Sequence, residues 1–141
     1  MTTQEVFPAS MGEIKKHLLS KLKGSVLEIG AGSGANFAEY PKDIRWTGVE
    51  PNTARHQDLR RAAQRFGFTP DVRAFKAEHM EIADESLDAV VSTRVLCPVD
   101  SQQQVLAEIL RVLKPGRISA NTCDDHRNQH QPPTAQQNPY N

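Results

Sequence analysis

Val26-Leu27-Glu28-Ile29-Gly30-Ala31-Gly32-Ser33-Gly34 is the stretch that decides how this chain is read. The short apolar run from Ser25 to Ile29 reads as a strand, and it ends in three glycines at alternate positions. Such a cluster lets the backbone turn sharply and approach a ligand with no side chain in the way. Ala35 to Tyr40 then reads as a short helix stopped by Pro41. The first amides of a helix there would add donors beside the loop.

The same alternation continues outward. Arg45 to Val49 reads as a second strand ending at Glu50-Pro51. Asn52 is placed to cap a helix running to about Phe66, with Leu59, Ala62, Ala63 and Phe66 inward and Gly67 ending it. Val72 to Phe75 reads as a third strand, and Asp84-Glu85 marks a turn. Leu87 to Ser92 has the apolar run expected of a parallel strand buried on both faces. Ser101 and Gln104 form a capping-box pair. Val105, Leu106, Ile109, Leu110 and Leu113 then follow at helical spacing, up to the stop at Lys114-Pro115-Gly116. Upstream, Ser10 with Glu13 opens a helix whose face carries Met11, Ile14, Leu18 and Leu22, and Gly24 ends it. Strands alternating with helices predict an α/β layer fold, a Rossmann-like open parallel sheet with flanking helices.

Composition bounds the function. The chain has 141 residues, 38% apolar and 24% charged, which suits one domain with its own core. Its 17 basic and 17 acidic residues cancel, which excludes a strongly basic nucleic-acid binder. No apolar run reaches the roughly 18–20 residues of a membrane span. Met1 to Pro8 lacks a secretory pattern. Cys97 and Cys123 make neither a disulfide framework nor a metal quartet, so a reducing, cytoplasmic setting is expected. Residues 1–24 form an N-terminal helical segment and 25–117 the core. Residues 118–141, rich in Asn, Gln, Pro, His and Thr, read as a polar tail unable to offset its ordering entropy. Ile118 to Thr122 would add at most one poor edge strand.

Glu50 lies sixteen residues past Gly34, at the end of the next strand. A carboxylate there can accept both hydroxyls of a ribose, so loop and carboxylate together point to a nucleoside-bearing cofactor. Two cofactor classes fit. Gly30, Gly32 and Ala35 satisfy the dinucleotide pattern G-x-G-x-x-G/A. Against a dinucleotide, the glycines continue through Gly34, and Glu28 stands where it can meet the loop or a ligand's ammonium group. Glu78, after the third strand, can line the same crevice near a base. A tight turn with no ligand leaves the acidic partner at this distance unexplained.

Other signals carry less. Cys97 in Val95-Leu-Cys-Pro-Val99 reads as a small buried hydrophobe. His126 and His130 beside Asp124 and Asp125 fall in the polar tail, so no metal site is expected. Lys15-Lys16 and Arg60-Arg61 read as solvated faces, Trp46 and Phe37 as core, and Asp88 as support for strand entry. His17 and His56 sit on helices with no evident partner.

These motifs resemble a family. Val26 to Gly34 resembles the first motif of class I S-adenosylmethionine-dependent methyltransferases, and Thr47-Gly-Val-Glu50-Pro-Asn52 the second. Ala77-Glu78 with Asp84 to Ser92 resembles the end of the third strand and the fourth strand. Val105 to Gly116 resembles the helix and turn before the fifth. Gly30 to Phe37, Glu50-Pro-Asn52 and Val95 to Val99 look closest to the methyltransferase-like thiol methyltransferases, near the type 11 group.

The resemblance implies S-adenosylmethionine as cofactor and a small-molecule methyl acceptor, a thiol among the candidates. It implies that Gly30, Ala31, Gly32 and Gly34 wrap the methionine part, with Glu28 beside them. Glu50 would hold the ribose diol, with Pro51 in the same set, and Glu78 with the backbone at His79 would meet adenine. Thr93 would lie near the sulfonium and the acceptor. No catalytic base is identified. The family continues past this turn with an apolar fifth strand, a helix and two last strands, whereas here Arg117 leads into polar residues. The thiol-methylating members also carry an N-terminal membrane anchor that is not seen here. A sheet truncated after its fourth strand is therefore expected. Its Leu87–Ser92 edge would be exposed, lowering stability and inviting a partner or self-association. Two rival readings stand: an inactive or binding-only fragment that keeps the cofactor half, and a nicotinamide dinucleotide module that needs Gly30 and Gly32 but tolerates change at Gly34.

Overall fold

The computed structural model describes residues 11–93 and 101–122, and the side chains of 11, 93 and 117–122 lie outside that description. Helix α1 spans Met11–Leu19, followed by strands β1 (Ser25–Ile29) and β2 (Arg45–Val49). A 3₁₀ turn at Thr53–Arg55 leads into α2 (His56–Arg65) and β3 (Asp71–Arg73). Strand β4 (Leu87–Thr93), α3 (Gln102–Val112) and β5 (Leu113–Thr122) follow. The five strands form one sheet in the order β3-β2-β1-β4-β5, and every pairing is parallel.

Side-chain alternation along the strands builds two cores. Val26, Trp46, Val72, Ala89 and Val91 face Leu19 of α1 and Leu59, Ala62 and Ala63 of α2. Phe37, Tyr40 and Phe68 fill the space between, with Phe37 edge-on to Trp46 at 4.6 Å between ring centroids. On the other face Leu27, Ile29, Val49, Leu87 and Val90 meet Val105, Ile109 and Val112 of α3. Both faces of the sheet are thus covered, as a parallel sheet requires. Asp88 supports strand entry as expected: its Oδ2 accepts the Ser25 N–H at 2.9 Å, and Lys114 Nζ reaches Oδ1 at 3.2 Å.

The third strand is Asp71–Arg73 rather than Val72–Phe75, and Leu19 rather than Leu18 is buried on α1. Leu113 to Gly116 open β5 rather than ending a helix. Three further readings need correction with a physical reason. First, the sheet does not stop at four strands. Ile118 to Thr122 pair with Ala89 to Thr93, so β4 is interior and the expected exposed edge at Leu87–Ser92 does not exist. The polar tail accordingly cannot begin at 118, and residues 123–141 lie outside the described residues. Composition misled because ladder hydrogen bonds are made by the backbone, which polar residues supply as well as apolar ones. Second, Ala35 to Tyr40 is not a helix but a chain of turns, with Gly34 N–H on Ala31 O, Phe37 N–H on Gly34 O and Glu39 N–H on Asn36 O. Asn36 and Phe37 are both pulled inward, and those tertiary contacts override local propensity. Third, Leu106 and Leu110 are 46% and 63% exposed, so the buried stripe of α3 is narrower than the apolar spacing suggested. Ser10, Cys97, Cys123 and the His126/His130 pair fall outside the described residues. Among the described residues no helix is long and apolar enough to cross a membrane.

Candidate functional site

Parallel pairing sends the carboxyl ends of β1, β2, β3 and β4 to one edge of the sheet. The order reverses at β1, with β2 on one side and β4 on the other, and in open parallel sheets such a reversal is where ligands bind beyond the carboxyl ends of the strands. The glycine loop leaves β1 there. Gly30 N–H extends the ladder to Val49 O at 3.0 Å, and the chain then folds back through positive φ at Gly30, Gly32 and Gly34. A Cβ at Gly32 (φ +58°) would meet nothing within 4 Å, so the backbone there fronts open space. A Cβ at Gly34 (φ +82°) would lie 2.6 Å from the Phe37 ring and 2.9 Å from Ala62. One glycine borders open space, and the other lets the loop lie down on α2. Ala31 is buried in the core beneath the loop.

Glu28 is fully buried under this loop. Its Oε2 accepts from Asn36 Nδ2 at 2.8 Å and its Oε1 from Trp46 Nε1 at 3.2 Å. Burial pushes its carboxyl above the ordinary 4.5, while the Asn36, Tyr40 and Trp46 side chains and the charge of Lys15 pull the other way. Burial, and the negative charge of Glu28, also drive the Tyr40 hydroxyl far above its ordinary range. Of the two roles open to Glu28, the structure shows the one toward the loop: the carboxylate ties Asn36, on the far side of the glycines, to β2.

Glu50 stands at the end of β2. Its N–H bonds Arg73 O at 2.9 Å, and its carboxylate lies 3.4 Å from the Asn52 N–H and 3.6 Å from Arg55 Nη1. The Glu50 side chain is 10% exposed and Arg55 62% exposed, so the cation can swing away without disturbing the core. Pro51 is exposed beside it. His56, expected to lack a partner, is buried with Nε2 2.6 Å from Glu50 O.

Glu78 is half-buried and His79 exposed, in a loop after β3. That loop is clamped from below by α3. Met80 N–H bonds Glu108 at 2.7 Å, and Arg111 reaches Met80 O and Ile82 O, both at 2.8 Å. Thr93 ends β4 one residue beyond Ser92, which pairs with Ile29 just before the glycine loop. Gly30 to Gly34, Glu50, Pro51 and Thr93 thus follow or end β1, β2 and β4 at the carboxyl edge, Glu28 lies buried within β1, and Glu78 and His79 sit in the loop after β3. Sequence reasoning missed Asn36, Arg55 and His56, and also Ser92, whose buried hydroxyl has no hydrogen-bond partner. Hydroxyl, amide and imidazole groups at these positions carry no motif, and only the fold brings them to the edge. A groove of about 530 Å³ at the opposite, amino end of the strands, lined by Ser25, Arg45, Thr47 and Asp71, contains none of the predicted site residues.

Known proteins share this fold and part of this sequence. A family model described as a methyltransferase domain matches residues 27–120. The human thiol S-methyltransferase TMT1A is 36% identical over 122 residues, covering 79% of this chain and 50% of its own length. A Methanococcus maripaludis structure, described as a candidate S-adenosyl-L-methionine-dependent methyltransferase, superposes with TM-score 0.66 at 16% identity. It covers 75% of this chain and 52% of its own. The [4+2]-cyclase SpnF superposes with TM-score 0.64 at 25% identity, covering 74% of this chain and 42% of its own. This chain spans about half the length of the curated relatives it matches. The family match runs from β1 through the glycine loop and Glu50 into β5, and the chain belongs to the methyltransferase domain family.

Proposed function

We propose that the carboxyl edge of the sheet binds S-adenosylmethionine and that the chain serves methyl transfer to a small-molecule acceptor, with thiols as the class to test first. The observations that carry this reading are the open backbone at Gly32, just past β1, and the Glu50 carboxylate at the end of the adjacent β2. The cradle accepts the close approach of a methionine moiety, and Glu50 accepts from a ribose diol once Arg55 moves aside. On this reading Glu78 and the His79 backbone would meet adenine, and Thr93 would be near the sulfonium and the acceptor. Thiol relatives such as human TMT1A favour a thiol acceptor.

The bound cofactor supplies an electrophilic methyl on a sulfonium. The chain's own part is positioning. Transfer is an in-line displacement, so holding acceptor and methyl in line, away from water, supplies the rate. A thiol acceptor reacts as its thiolate. The SpnF likeness shows that one fold can host a different chemistry, so turnover must be measured directly. Purified chain, S-adenosylmethionine and a panel of small thiols should release S-adenosylhomocysteine together with the methyl thioether. Binding of cofactor with no product from any acceptor class would instead favour a binding-only domain.

A further inference from the structure

We infer that His56 is a positioning residue for Glu50, which rests on the reading of Glu50 as the ribose acceptor. The sheet fixes Glu50 on one side only, through its N–H on Arg73 O. Beyond it the chain leaves the ladder, and Pro51 has no N–H with which to rejoin it. The freedom left is rotation about the Glu50–Pro51 backbone. That rotation would carry away Asn52 and Arg55, the two residues that address the carboxylate.

His56 closes this loop. It is the first residue of α2, and the other buried residues of that helix, Leu59, Ala62 and Ala63, are apolar. A buried imidazole is costly unless its polar atoms are used. Nε2 meets the Glu50 carbonyl at 2.6 Å, and a carbonyl only accepts, so Nε2 carries the proton and donates. The bond holds the start of α2 against the end of β2. The six residues from Glu50 to Arg55 are thereby set as one rigid hook around the carboxylate.

The test is calorimetric titration of the full chain with S-adenosylhomocysteine, on wild type, H56L, H56Q, E50Q and the double variant E50Q/H56L, with thermal melts of each. H56L should weaken binding roughly tenfold, the worth of one well-made buried hydrogen bond. H56Q should recover most of that, because its amide places a donor near the same point. In the E50Q background, adding H56L should change affinity little, because the carboxylate that His56 positions is already gone. A two-bond ¹H–¹⁵N spectrum should show the proton on Nε2. If the leucine variant fails to fold, H56Q against H56N makes the same comparison, since asparagine is one methylene short of the carbonyl.

Equal affinity of H56L and wild type, with E50Q weakened, overturns the role of His56 alone. An equal loss from H56L in both backgrounds makes His56 merely structural and also overturns it. A folded wild type that does not bind, or an E50Q variant that binds like wild type, overturns the reading of Glu50 itself.

Discussion

Gly32 and Gly34 hold the same left-handed backbone for different reasons, and substitution should separate them. Gly32→Ala should cost about 1 kcal/mol for a non-glycine residue at positive φ. Its methyl would occupy the open cradle, so binding of S-adenosylhomocysteine should fall at least tenfold. Gly34→Ala adds a clash with Phe37 and Ala62 to the same strain and should cost roughly 2–3 kcal/mol. Urea unfolding with parallel titrations checks both, and a Gly32→Ala chain that binds like wild type would place the cradle elsewhere. Glu28 predicts a pH effect of definite sign. Its folded carboxyl holds a proton to higher pH than the unfolded one, so the native state binds more protons above about 4.5. Wild type should therefore lose stability relative to Glu28→Gln as pH rises from there toward neutrality. Urea midpoints of the pair across that range test it. A wild type that gains on the variant would mean that the Asn36 and Trp46 donors outweigh burial.

Among the elements, α3 does more than cover the sheet. Glu108 and Arg111 hold the loop that carries Glu78 and His79, the residues proposed to meet adenine, through Met80 and Ile82. Arg111→Met should lower the urea midpoint and leave the Met80 and Ile82 carbonyls without their donor. Arg111 and the Met80 N–H hold the Glu108 carboxyl below its ordinary 4.5. Its contribution is thus present above that value and lost as pH falls through the depressed one. Urea midpoints of wild type and Glu108→Gln should therefore differ most near neutrality, wild type the more stable, and converge as pH falls through the depressed value. Periodicity and caps made β1, β2, β4, α2 and α3 legible, because each has its own signal: an apolar run, the Ser101 cap, and Asn52, which caps the 3₁₀ turn leading into α2 rather than α2 itself. What they hid was tertiary. Asn36 bonds a carboxylate eight residues away in sequence, and β5 depends on a neighbour to pair with. The glycine loop and Glu50 were readable from spacing alone. His56 was not, because its partner is a backbone carbonyl.

At the scale of the whole molecule, β5 changes what the chain can be. Pairing of Ile118–Thr122 with β4 places Val90 and Val91 in the interior of a doubly covered sheet rather than at its rim. Deleting residues 117–141 should recreate the open edge, and light scattering after size exclusion should then show association that the full chain lacks. A truncated chain that stays monomeric and melts cooperatively would show that β5 is dispensable. The order β3-β2-β1-β4-β5 sets the crevice, the crevice gathers Gly32 and Glu50, and those two residues carry the functional reading. Titration of the full chain with S-adenosylmethionine, S-adenosylhomocysteine and NAD, on wild type and Glu50→Ala, tests that reading most directly. The expected result is saturable binding of the two sulfur-bearing nucleosides, none of NAD, and loss of binding in the variant. A folded wild type that binds neither nucleoside, or that prefers NAD, would contradict it.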